Sequence, residues 1–158
     1  FLTDAFQYMI DHGAKIKVID VEGWFDAGKI DTLLATNRVM LERGRARIPA
    51  GIDRSQIVEP VYIEDGVKIA NSRVGPNVSL GAGTIVEHTT LRDTIAGTGC
   101  RIVRSTLTNS LIGDEVFVAG VKGEVTLGDH SEIRAEMGEG RGARGEGRGV
   151  WPGDHSQR

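Results

Sequence analysis

One cysteine, Cys100, occurs in 158 residues, so no internal disulfide can form, and no C-x-x-C or Cys/His cluster offers a structural zinc site. A reducing cytoplasm suits such a chain. Net basic charge is also missing. Lys plus Arg number 19 against 22 Asp plus Glu, a formal charge of -3, which gives no overall field for holding a nucleic-acid backbone. No apolar run approaches the roughly 20 residues that span a bilayer, and the opening FLTDAFQYM lacks the basic start of a secretory signal. Neither a nucleic acid nor a membrane is expected as a partner. The length allows one ordinary domain or two small modules around a modest core, not a large enzyme. The chain opens without Met, directly on a helix start, and is therefore read as a piece of a longer protein.

Three zones of different composition follow one another. Residues 1–44 read as mixed α/β. Thr3 is placed to cap a helix carrying Ala5, Phe6, Met9 and Ile10 on one side, with Gly13 at its end. Ile16, Val18 and Val21 suggest a short strand before the turn WFDAGK. A second helix, from about Asp31 to Arg43, puts Leu33, Leu34, Met40 and Leu41 near one face, with Gly44 closing it. One strand and two helices cannot bury a core alone, so this zone is expected to be the end of a larger α/β domain. Residues 45–56 mix Arg, Gly and Pro without periodicity and read as a linker, with Arg45, Arg47 and Arg54 as solvated charges rather than a phosphate site.

Residues 57–133 carry an internal repeat. Apolar anchors recur at Ile57, Ile63 and Ile69, then Val74, Leu80 and Val86, then Leu91, Ile95 and Ile102, the first two sets being 17 residues apart. The first two sets divide as 6, 6 and 5 residues, a third and less regular turn begins at Leu91, and Gly66, Gly75, Gly81, Gly83, Gly97, Gly99 and Gly113 fall where the chain must bend. Spacings of five and six do not match the helical 3.6, and the Gly and β-branched content opposes helix. The pattern is that of a triangular coil. Each hexad gives a short strand and a corner, and each leading aliphatic points inward onto its equivalent in the next turn. The fold expected is mainly β: a left-handed parallel β-helix of hexapeptide repeats preceded by an α/β remnant. A β-sandwich also uses many short strands, but the regular period argues against it. Ile112-Gly113-Asp114 and Leu127-Gly128-Asp129 extend the stack to Ile133. Residues 134–158, rich in Gly, Arg and Glu and poor in aliphatics from Glu136 on, are expected to be disordered.

For chemistry, Asp26 stands out: a carboxylate in a tight turn, with Gly23 and Gly28 freeing the backbone, suits a hard cation. The plain alternative is a carboxylate that caps the turn or the helix after it. The order of FLTDAF, then VEGWFDAGKIDTLLATNR, then hexapeptide coils resembles the C-terminal part of sugar-1-phosphate nucleotidyltransferases, above all the long glucose-1-phosphate thymidylyltransferase-like enzymes with an appended left-handed β-helix. The resemblance covers residues 1–133. It implies that Asp26 binds Mg²⁺ together with a second aspartate from the nucleotide-binding region, and that the substrates are a nucleoside triphosphate and a sugar 1-phosphate. Thr3 and Asp4 match a segment near the sugar site, although a helix N-terminus explains both. Trp24 fits either packing or a sugar pocket, and Lys29 either a phosphate contact or a solvated charge.

The family's Gly-rich nucleotide loop and its first metal-binding aspartate have no counterpart among these residues. The GEGRGARGEGRG run lacks the P-loop spacing, so the chain alone is expected to be inactive. Two other functions suit a coil of this kind. One is a hexapeptide-repeat acyltransferase with His88 as general base, for which no protruding loop shapes a CoA groove. The other is a structural module for oligomerisation. A carbonic anhydrase would need several histidines on neighbouring coils, whereas His12, His130 and His155 lie outside the regular ones. Self-association into a homo-oligomer is expected, because the coil edge and faces need covering.

Overall fold

The computed structural model describes residues 1–25, 27–48 and 55–135. Two helices come first, α1 (Leu2–Asp11) and α2 (Ile30–Met40), the second continued by a π turn (Leu41–Arg45). The strands are β1 (Gln56–Ile57), β2 (Val61–Ile63), β3 (Lys68–Ala70), β4 (Arg73–Val74), β5 (Val78–Leu80), β6 (Ile85–Glu87), β7 (Thr90–Ala96), β8 (Arg101–Val103), β9 (Thr106–Ile112), β10 (Phe117–Ala119), β11 (Lys122–Gly123), β12 (Thr126–Leu127) and β13 (Glu132–Arg134). Every pairing between them is parallel, which excludes the sandwich.

The register makes three columns of inward residues. Ile57 aligns with Val74, Leu91 and Leu107, and the exposed Gly123 continues the register without an inward side chain. Ile63 aligns with Leu80, Ala96, Ile112 and Leu127, and Ile69 with Val86, Ile102, Val118 and Ile133. The expected three-sided parallel coil is therefore present, it reaches Ile133, and it accords with a left-handed β-helix. Val74, Leu80, Val86, Leu91, Ile102 and Val118 are fully buried. Each such side chain contributes about 1.5–3 kcal/mol on leaving water, so the columns rather than strand propensity hold the stack together.

The column positions correct one expected anchor. Ile95 is half-exposed and pairs with Ser79 and Leu111, and the inward residue of that coil is Ala96. The cause is a shortened corner. Between Val74 and Leu80 the chain turns through Gly75-Pro76-Asn77, whereas between Leu91 and Ala96 it turns through Arg92-Asp93, one residue fewer. Accordingly Ile63 to Leu80 is a step of 17 residues, the next two steps are 16, and Ile112 to Leu127 is 15.

Corner residues in the left-handed backbone region also stack in columns. Asn71, His88, Arg104 and Gly120 occupy one corner, Asn77, Asp93 and Asn109 another, and Gly66, Gly83, Gly99, Glu115 and His130 the third. Hydroxyls satisfy buried backbone groups beside the first of these. Ser72, Thr89 and Ser105 each donate to the carbonyl two residues back, at 2.8–2.9 Å. Each also accepts the amide N–H of the next coil: Thr89 to Ser72 at 3.0 Å, Ser105 to Thr89 at 3.2 Å, Val121 to Ser105 at 3.1 Å. Cys100 occupies the matching place near the glycine corner. Its thiol donates to the Gly113 carbonyl at 3.0 Å, and burial pushes its pKa up, against hydrogen bonds that lower it. A buried structural thiol is the result.

The N-terminal zone differs from expectation in two places. α1 begins at Leu2 with Phe1 in the capping position, so Thr3 lies inside the first turn and is not the cap. Ile16, Val18 and Val21 form no strand. They are 47, 84 and 71% exposed, and among the described residues no neighbouring strand pairs with them. The π turn follows from Gly44, whose positive φ of 86° breaks the α geometry. Beyond it Arg47 pairs with Tyr62, and its guanidinium meets Asp65 at 2.6 Å, which ties this part of the expected linker to the coils. Arg134, expected in the tail, closes β13; residues 136–158, the rest of that tail, lie outside the described residues.

Candidate functional site at the helix–coil junction

The helix after the WFDAGK turn is seated on the β-helix. α2 packs on β7 and β9, and Leu41 just beyond it is buried. This explains Ile95 and Leu111: both point outward, yet on the side the helix covers, so apolar side chains suit the positions. Polar contacts set the helix in register. Ser79 Oγ donates to Asn37 Oδ1 at 2.6 Å, and Asn37 Nδ2 donates to the Asn77 carbonyl at 3.4 Å. Arg38 Nη2 donates to Asp93 Oδ1 at 2.6 Å, an oxygen that also accepts from Asn77 Nδ2 at 2.8 Å. Arg92 Nε reaches the other oxygen at 3.0 Å.

Asp93 is the one acidic side chain buried among the described residues. Burial pushes its pKa up, but hydrogen bonds from Asn77 and Arg38, the Arg38 charge and the bond from Arg92 outweigh it, and the carboxyl sits below its usual range. It is ionised at neutral pH. Sequence reading missed this residue; the shortened corner was the available signal.

The other face of α2 carries the turn. Trp24 and Phe25 line a hollow of about 350 Å³ with Thr32, Ala35, Thr36 and Val39, and the Arg43 guanidinium lies 5.2 Å from the centre of the Phe25 ring. Trp24 remains 87% exposed. Lys29 is exposed at the start of α2, where its N–H donates to Thr32 Oγ1 at 3.2 Å. A second hollow, about 510 Å³, joins Ala27, Gly28 and Lys29 to Leu33 of α2 and Leu111 of the coil. Lys29 and Trp24 thus flank one turn. Thr3 and Asp4 sit on exposed α1, in neither hollow; the Asp4 carboxylate accepts from the Phe1 ammonium at 3.0 Å. Asp26 itself lies outside the described residues. No group of three or more His, Cys, Asp or Glu side chains able to hold a metal ion occurs among the described residues.

His88 lines a separate polar hollow of about 530 Å³ with Gln56, Asn71, Arg73, Thr89 and Thr90. It is an exposed corner residue with φ of 51°. Among the described residues no carboxylate or carbonyl holds its ring, as an oriented general base requires. No helix among the described residues is long and apolar enough to cross a membrane.

No family model matches the chain. Two curated proteins do. One is the glucose-1-phosphate thymidylyltransferase of Streptomyces antibioticus, 32% identical over 124 residues that make up 77% of this chain and 35% of that protein. The other is the glucose-1-phosphate thymidylyltransferase of Streptomyces griseus, 39% identical over 90 residues, 55% of this chain and 25% of that protein. The chain therefore spans about a third or less of the curated relatives it matches.

Proposed function

Since this chain is homologous to part of the glucose-1-phosphate thymidylyltransferases, we propose that it is the β-helix-bearing C-terminal part of a sugar-1-phosphate nucleotidyltransferase. The whole protein would take a nucleoside triphosphate and a sugar 1-phosphate. A phosphate oxygen of the sugar attacks the α-phosphorus, the new P–O bond forms, the α–β anhydride bond breaks, and pyrophosphate leaves with its electron pair. The observation that carries the reading is the identity of 32% over 124 residues, a stretch longer than the coils themselves.

In this reading the chain contributes the turn from Trp24 to Lys29 and the scaffold beneath it. Trp24 offers an apolar face and Lys29 a cation for the sugar phosphate; Thr3 and Asp4 would stand near the sugar through surfaces outside this chain. Mg²⁺ belongs to the whole enzyme of this family, where it neutralises phosphate charge. The described residues do not make up a magnesium site. Asp26 would be one oxygen ligand where several are required, so no step here runs through the metal. The chain alone is proposed to be inactive and the whole protein cytoplasmic.

A chimera tests the reading. Residues 1–135 would replace the matching third of the Streptomyces antibioticus enzyme, and release of pyrophosphate from deoxythymidine triphosphate and glucose 1-phosphate would be measured. Activity within about tenfold of the parent is expected, with a loss of at least about 100-fold in Asp26→Ala. A folded chimera without activity, or one indifferent to Asp26→Ala, refutes the proposal.

A further inference from the structure

We propose that the Asp93 corner of the β-helix is a socket that fixes α2, and through it the Trp24–Lys29 turn, so that Asp93 and Arg38 are positioning residues for the proposed active site. The inference rests on the nucleotidyltransferase reading only for what the turn does. The socket itself rests on geometry.

An outward carboxylate of a β-helix normally stays in water. Asp93 is buried, at a corner one residue shorter than the one before it, and holds three donors: Asn77 from the preceding coil, its neighbour Arg92, and Arg38 from the helix. Bonds of this kind to an ionised group are roughly twice as strong as neutral ones, and a desolvated carboxylate that loses one is left undersatisfied. The corner is thus built to prefer the docked helix. Asn37 adds a second register contact through Ser79. The opposite side of α2 carries Trp24 and Phe25. A contiguous path of packed groups therefore joins coil to turn, with the helix as the rigid element between them.

Apart from half-buried apolar contacts such as Leu33 and Leu34 on the coil and the buried Leu41 just beyond it, α2 has little besides the socket to order it. It is an 11-residue helix with no buried residue inside its own span, and isolated helices of that length are marginal in water. The coil, by contrast, is self-supporting through its aliphatic columns. Arg38→Ala should therefore release the helix and leave the coils intact.

Amide hydrogen exchange on the full 158-residue chain tests this without substrate, so a failed transferase reading would leave the result unchanged. In Arg38→Ala and in Asp93→Asn, amides of α2 and of Trp24, Phe25, Gly28 and Lys29 are expected to exchange at least about tenfold faster, while those of β6 and β8 keep their protection. The double variant should lose no more than the larger single loss, the sign of one shared contact. Because Arg38 lies outside the coils, its variant decides the matter if Asp93→Asn loosens the corner itself. Unchanged protection of α2 in Arg38→Ala, equal loosening of helix and coils in it, or additive effects in the double variant would overturn the proposal.

Discussion

A single side chain shows how the fold converts a local deletion into a contact. Where Asn77 turns one coil, the next has Asp93 in the same left-handed conformation, with φ of 46°. Asn and Asp tolerate that region better than other non-glycine residues, which makes the exchange sterically free. Electrostatically it is not free: the carboxylate needs donors, and Arg38, Asn77 and Arg92 supply them. Its folded-state pKa is depressed, so the stability it gives is present above the unfolded value near 3.9 and is lost as pH falls through the folded value. Asp93→Asn should cost roughly 1–3 kcal/mol at pH 7. The gap between variant and parent should then close as pH drops below about 4, which urea unfolding across pH 2.5–7 measures. A gap that stays constant with pH would mean that shape rather than charge matters at this site.

At the scale of the turn, glycine has two separate uses. Gly83 has a positive φ of 71° and open space where a Cβ would go, so Gly83→Ala meets only backbone strain, about 1 kcal/mol. Gly97 has no such φ, yet a Cβ there would collide with the Asp114 carboxylate and lie 2.9 Å from the Gly113 backbone of the next coil. Gly97→Ala should cost about 1–3 kcal/mol more than Gly83→Ala, because the coils cannot move apart without losing their hydrogen bonds. Chemical unfolding of the two variants side by side checks the order. Sequence alone marks both as bend residues and cannot separate them, since the distinction depends on what the neighbouring coil places opposite. The helices carry a similar lesson. The apolar spacing of α1 is legible, but local preference does not fix its first residue, Leu2 rather than a residue after Thr3, nor does it say whether Ile16 to Val21 have a partner strand. The apolar pattern alone marks Ile95 as an inward anchor, whereas it faces outward under α2, and an apolar residue fits either place.

For the molecule as a whole, the aliphatic columns account for the coil, while the N-terminal zone leaves large apolar side chains in water. Leu2, Val18, Ile19 and Trp24 are each more than 70% exposed, and single chains rarely keep such surface uncovered. Residues from outside this chain, or a second copy, would cover it. For the chain by itself the proposal is self-association. Light scattering at micromolar concentration is expected to give a multiple of 17.0 kDa, falling when Val18 and Ile19 are both changed to Ser. A clean monomer would leave the exposed zone to be covered by other segments and would remove the homo-oligomer from the reading.

The 17-residue spacing of the first coils and the aliphatic at the head of each hexad were enough to specify a three-sided parallel coil, because a side chain that faces its equivalent in the next coil must be apolar to be buried there. The order of turn, helix and coil likewise carried the resemblance to the thymidylyltransferases. What no linear pattern contained was the seat of α2 on the Asp93 corner. That contact joins residues 55 positions apart, and only after the coils had stacked could a buried carboxylate, its donors and the helix meet in one place.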